Sequence, residues 1–299
     1  MYGNLWVLGE RFISGKYRRI MAAGGLKIED SNILKLYSAG EIDIKNSTIK
    51  KLRAAGEIKG TNVNLGNVSI AGDIKLTGEV KADVLVACGD LTAEYLSCKV
   101  LRNFAKRSSK NNRWVRSGSI AGDGNRTVGE FSGFFKAETF ENFKDTVIDF
   151  EYEFVNIISK CRLTSLNAIK CERLFSFSQI CADEVNADYV YIKPHSTSKI
   201  SMLAGSEIII SEEFKSIKLF KSLPKSVDFT YYKDILSLPS SIMSVETIEA
   251  DKIFVEKLKA NLISGAEIVI GDLCIIDKVE YSQSIKISPK AVVNEVIKI

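Results

Sequence analysis

Four short motifs recur at an unbroken interval of sixteen residues: Ala23-Gly24-Gly25-Leu26, Ala39-Gly40-Glu41-Ile42, Ala55-Gly56-Glu57-Ile58 and Ala71-Gly72-Asp73-Ile74. Cys88-Gly89-Asp90-Leu91 follows one position later than the period requires, and Leu8-Gly9-Glu10 precedes the first copy one position short of it. A fixed period of this length is the signature of a repeat architecture in which each copy is one structural unit.

The columns through the copies say what the unit is. One column reads Leu26, Ile42, Ile58, Ile74, and the position two residues on reads Ile28, Ile44, Gly60, Leu76. Further columns read Ile33, Ile49, Leu65 and Leu36, Leu52, Val68. Lys, Glu, Asp, Asn, Ser and Thr fill the positions between them. Apolar–polar alternation is the period of a strand with one buried face, and Ile and Val suit a pleated surface. A short strand cannot bury its face alone. Stacking like residues from successive copies makes a continuous core, so the repeat predicts an all-β parallel β-helix, a β-solenoid with rungs of about 16 residues. Such a rung suits about three short strands and three corners. The glycine column (Gly24, Gly40, Gly56, Gly72, Gly89) marks one corner, Ile42, Ile58 and Ile74 mark the shaft, and the acid after each glycine faces water.

Along the chain the reading is uneven. Residues 1–101 are expected to form the regular solenoid with an N-terminal cap. Residues 102–117 break the pattern as a basic inserted loop. It carries Lys106, Arg107, Lys110, Arg113, Trp114 and Arg116 and no acid, a composition able to meet an anionic or protein partner. Ala121-Gly122-Asp123 suggests that the motif resumes two rungs after Gly89. Residues 118–222 read as a degenerate β-rich region whose aromatic run, Phe131 to Phe143, offers a second partner surface. Residues 223–241 read as a connector between Pro224 and Pro239, and 242–299 as a C-terminal solenoid segment ending in a docked strand. There Ile263, Val269, Ile275 and Tyr281 fall six apart, a hexapeptide-like rhythm.

The chemistry-bearing residues are sparse. His195 is the single histidine, and no acid lies within two residues of it. The six cysteines form no C-x-x-C pair, so they read as reduced, buried thiols rather than metal ligands. Cys161, Cys171 and Cys181, ten apart, are expected at equivalent inward positions. No catalytic residue, cofactor site, metal site or small-molecule substrate is assigned. A net charge of +4 argues against a general nucleic-acid binder. The first residues lack a basic region followed by a long apolar one, and no stretch approaches the ~20 apolar residues of a membrane span. The expected location is therefore the cytoplasm, with association to a membrane surface left open.

The Ala-Gly-Glu/Asp-Ile repeat resembles the bactofilins, the polymer-forming cytoskeletal proteins of bacteria, and their longer relatives. The stretch from Ala250 through Cys274, then residues 279–282 and 292–299, is similar to the closing segment of those longer relatives. The resemblance implies a right-handed parallel β-helix, nucleotide-free self-association through the solenoid ends, and a scaffold role near the envelope, with envelope proteins or the membrane surface as partners. The resulting expectation is a non-enzymatic structural scaffold. Two alternatives stand beside it: a hexapeptide-type acyltransferase or other β-helix enzyme, and a module that binds partners through the basic loop.

Overall fold

The computed structural model describes residues 3–104, 130–214, 232, 235 and 239–299. The numbered elements among them are twenty β-strands, and every pairing given below is parallel. Contacts divide the described chain into two compact units, residues 3–104 with 130–144 and 150–154, and residues 145–149 with 155 onward.

The first unit holds β1 (Gly3–Leu8), β2 (Arg11–Ala23), β3 (Leu26–Ser38), β4 (Ile42–Lys45), β5 (Thr48–Ala54), β6 (Ile58–Thr61), β7 (Asn64–Ile70), β8 (Ile74–Ala87), β9 (Leu91–Phe104) and β10 (Phe131–Phe143). Register is fixed residue by residue. Leu26 pairs with Ile42, Ile42 with Ile58, Ile58 with Ile74, and Ile74 with Leu91. All five side chains are at most 3% exposed. The expected shaft is therefore present, and burying each such side chain stabilises by roughly 1.5–3 kcal/mol. The fold is a parallel β-solenoid.

Each of these rungs turns at three places. The first is the glycine column. A Cβ built on Gly56, whose φ is +153, would lie 2.6 Å from the carbonyl oxygen of Gly40 one rung below. Gly24, Gly40, Gly72 and Gly89 meet the preceding glycine in the same way. Backbone stacks on backbone there, and only glycine fits. The second corner is a column that the apolar pattern does not reveal: Asp30, Asn46, Asn62 and Gly78, with φ of 45, 47, 52 and 66. Asp, Asn and Gly are the residues that tolerate the left-handed region. Local bonds pin this corner. Asn62 Oδ1 accepts the Glu79 N–H at 3.2 Å, and Ser47 Oγ accepts the Ser31 N–H at 3.0 Å while donating to the Lys45 carbonyl at 2.6 Å. The third corner is a bend within a strand. In β5 both Ile49 and Leu52 are fully buried, three apart, so strict alternation breaks at Lys50-Lys51.

The succession of rungs follows the main chain rather than the motif. Leu91 N–H donates to the Glu130 carbonyl at 2.9 Å, as Ile58 N–H does to Asp73 and Ile74 N–H to Asp90. Leu91 pairs with Phe131, so the rung after β9 begins forty residues on. Glu130-Phe131 thus occupies the position expected for Asp123 and its successor. The Ala121-Gly122-Asp123 motif itself lies outside the described residues, as does nearly all of the 102–117 loop. The aromatic run is also corrected. Phe131, Phe135, Phe140 and Phe143 are at most 6% exposed, and Phe131, Phe135 and Phe140 pack with Phe150 and Phe154 at centroid distances of 4.9–6.4 Å. These rings fill the shaft of the β10 rung rather than its surface, and Phe134 alone of the run's middle stands outside it, stacked on Tyr95 at 5.3 Å.

The second unit holds β11 (Thr146–Ile148), the later part of β12 (Glu151–Ser159), β13 (Leu163–Ser165), β14 (Ile169–Ser176), β15 (Ile180–Ile192), β16 (Lys199–Ile210), β17 (Met243–Val255), β18 (Leu258–Ile270), β19 (Ile275–Ile287) and β20 (Val292–Lys298). The stretch read as degenerate stacks as regularly as the first, with Leu163 on Ile180, Ile169 on Val185 and Val190 on Ile208. No two of these three pairs are separated by the same interval in sequence, which hides the repeat from a fixed-period search. Ile208 pairs with Ile253, forty-five residues on, so a second insertion leaves after β16. Of the expected connector 223–241, residues 232, 235 and 239–241 are described.

The hexapeptide rhythm is not structural. Ile263 is fully buried, but Ile275 is 45% exposed, and the chain repeats as Met243 on Leu258 and Lys259 on Ile275. A step of six does not divide those rungs into equivalent inward positions. The ten-residue cysteine spacing fails for the same reason. Cys171 pairs with Ala187 and Cys181 with Lys199, so Cys171 and Cys181 sit at different points of the rung.

Candidate functional site

The C-terminal end of the second unit is its most distinctive surface. The inward columns run Ile208, Ile253, Ile268, Ile285 and Ile210, Val255, Ile270, Ile287. Ile208, Ile253 and Ile268 are at most 2% exposed, as are Ile210, Val255 and Ile270, but Ile287 is 40% exposed. Val296 continues the column of Ile263 and Val279 and is 44% exposed, and Val293 stands above the fully buried Ile276. Among the described residues β20 pairs only with β19, and no described strand lies on its other edge.

The other polar cluster of this unit sits at the base of the second insertion. Lys257 donates to Glu212 and, at 2.9 Å, to Ser240 Oγ. Glu212 also accepts the Ser240 N–H at 3.3 Å, while Ser211 Oγ and the Glu212 N–H both donate to Glu256, at 2.7 and 2.8 Å. Residues 211–212 and 240 flank the insertion, so the network ties both of its ends to the turn between β17 and β18. The Lys257 hydrogen bond, then the Ser240 N–H, holds the Glu212 carboxyl below its ordinary range. That contribution is present above the ordinary carboxylate pKa and is lost as pH falls through the depressed value. Lys193, 3% exposed, donates to the Ile235 carbonyl at 2.9 Å, and burial draws its pKa down. Tyr232 and Phe214 cover Phe177 and Tyr191 from outside at 4.7–5.9 Å.

His195 Nδ1 lies 2.9 Å from Thr197 Oγ1, within its own turn. Among the described residues no three of His, Cys, Asp and Glu converge as a metal cluster. No helix among them is long and apolar enough to cross a membrane. None of the six cysteines forms a disulfide. Burial pushes the Cys98 and Cys171 thiols up to about 12 and Cys274 to about 11. A thiol-specific disulfide reagent at pH 8 is therefore expected to leave Cys98 and Cys274, both buried and with raised thiols, unmodified until denaturant is added; mass spectrometry of the labelled peptides reads it.

The structure places the sequence-derived positions as follows. Gly24, Gly40, Gly56, Gly72 and Gly89 form one corner, and Ile42, Ile58 and Ile74 one shaft column. Lys106, Arg107, Lys110, Arg113, Trp114 and Arg116 lie outside the described residues. No protein-family model matches the chain, and no curated protein or solved structure matches it.

Proposed function

We propose that this protein is a non-enzymatic, self-associating structural scaffold, whose copies join through the C-terminal end of the solenoid. The observation that carries this reading is the uncovered shaft beside the free edge of β20. A second copy laid on that edge would extend the main-chain ladder and cover Ile287, Val293 and Val296, the last two of which stand above the buried Ile276 and Val279, as strand addition does elsewhere. Parallel rungs suit the task, since each already presents the surface that the next one covers. The bactofilin resemblance points the same way, and that reading places the chain in the cytoplasm, near the envelope.

Analytical ultracentrifugation and negative-stain microscopy of the purified chain test it. Concentration-dependent assemblies are expected, and V293K/V296K should abolish them while circular dichroism stays unchanged, because both positions lie on the edge strand. Monodisperse protein at every concentration, or assemblies indifferent to V293K/V296K, would overturn the reading.

A further inference from the structure

The stretch of each early rung between the third corner and the glycine corner forms one outer face of the first unit. Its outward columns are read from register. Arg19 pairs with Lys35, and Lys35 and Lys51 each immediately precede the paired Leu36 and Leu52. Met21 pairs with Tyr37 and Tyr37 with Arg53, and on the other side Trp6 pairs with Met21 and Leu8 with Ala23. The intervening Ile20, Leu36 and Leu52 are fully buried, which turns the cations outward. Arg18 and Lys50 stand at the third corner beside them. A shallow groove lined by Met21, Tyr37, Arg53, Ser69, Ala71 and Cys88 runs along the same face.

Two features of this face do not serve the fold. Between Arg18 and Ala71 it carries Arg18, Arg19, Lys35, Lys50, Lys51 and Arg53 and no carboxylate, and none of the six has an ion-pair partner among the described residues. The face between the glycine and left-handed corners is different: Lys45 lies 3.8 Å from Glu29, and Lys59 lies 2.7 and 3.5 Å from Glu41 and Glu57. Like charges directly opposite on neighbouring strands, about 4.8 Å apart, repel. In addition, Trp6 is 72% and Leu8 90% exposed on this same face.

We propose that this face docks on an anionic lipid bilayer. Cations in a plane neutralise headgroup charge, while Trp6, Leu8 and Met21 enter the interface between headgroups and acyl chains. Leu8, 90% exposed, is an aliphatic side chain that an acyl-chain interface buries and a nucleic-acid strand does not, whereas bases would find only Trp6 and Tyr37 to stack on, and this favours lipid. The site involves neither β20 nor the second unit, so its outcome is separable from that of the assembly test.

The test is vesicle flotation of the full chain carrying W114F, which leaves Trp6 as the single tryptophan reporter. Flotation, unlike pelleting, separates lipid binding from self-assembly. Binding to vesicles of phosphatidylcholine with about one-third phosphatidylserine is expected, weakening with salt and accompanied by a blue shift of Trp6 emission. K35E/K51E/R53E should lower partitioning by about 100-fold or more, at roughly fivefold per cation lost. K27E/K45E/K75E, with the same net charge change on another face, should leave it within about twofold. W6S, at an exposed position that leaves the fold intact, should cost about tenfold. Equal loss from the two triple variants, equal binding to neutral vesicles, an unshifted Trp6, or preference for an oligonucleotide in competition would each overturn the proposal.

Discussion

G56A is expected to destabilise the first unit by about 3–5 kcal/mol, a cost set by backbone geometry. The new Cβ would lie 2.6 Å from the Gly40 carbonyl oxygen, and φ at this position is +153. Neither partner can yield cheaply. Gly40 is held from below by Gly24 in the same way, and Gly72 stacks on Gly56 from above, so relief at one rung shifts its neighbours. A drop of about 6–20 °C in the melting temperature should follow at roughly 2–4 °C per kcal/mol. A39S, one residue before the adjacent glycine and exposed, should stay within about 0.5 kcal/mol. Thermal unfolding followed by circular dichroism checks both. If G56A melts with A39S, the glycine column is not a close-packed corner.

I58D should be larger still, and should abolish the folded first unit at 25 °C. Ile58 is 2% exposed and lies between Ile42 and Ile74 in register. Removing the side chain costs about 2–5 kcal/mol by itself, and a carboxylate buried there without a partner adds several more. Together these approach the whole stability of a typical domain, about 5–15 kcal/mol. In a stacked repeat the broken rung also withdraws support from its neighbours. K75D, exposed on the outward side of the neighbouring rung, should leave the melting curve nearly unchanged. Hydrogen exchange read by mass spectrometry should show protection lost across residues 26–104 in I58D, and a loss confined to residues 56–60 would contradict the stacked shaft.

Why the N-terminal rungs were legible and the later ones were not has a physical explanation. From Gly24 to Gly72 the interval never changes, so the glycine and isoleucine columns superimpose by counting. From β11 onward the interval wanders. Ile169 steps to Val185 as in the early rungs, Leu163 to Ile180 takes one residue more, and Val190 to Ile208 takes two more. A corner can absorb an extra residue without disturbing strand pairing. The local alternation survives, but the columns no longer line up. The false rhythms arose in the same way. Sixfold spacing at Ile263 and tenfold spacing at Cys161 are short coincidences within a chain whose true step lies near sixteen. One missed signal was present throughout: Asp30, Asn46, Asn62 and Gly78 share a column, and their common property is tolerance of positive φ rather than polarity or size.

By itself the sequence determined the rung. Alternation gives strands, β-branched residues give a pleated surface, and glycine at a fixed step forces backbone to meet backbone. Only the tertiary structure decided which residues become neighbours across an insertion, because a step of forty residues from Leu91 to Phe131, in place of sixteen or seventeen, leaves the pairing to the open edge of the shaft. The tertiary structure also decided the surfaces. Arg19, Lys35 and Lys51 are scattered in sequence, and only stacking at one strand spacing brings them together on a face that carries no carboxylate between Arg18 and Ala71. The same stacking leaves Ile287 half-exposed, although its counterparts Val255 and Ile270 are buried, because burial in a solenoid depends on whether another rung lies on top.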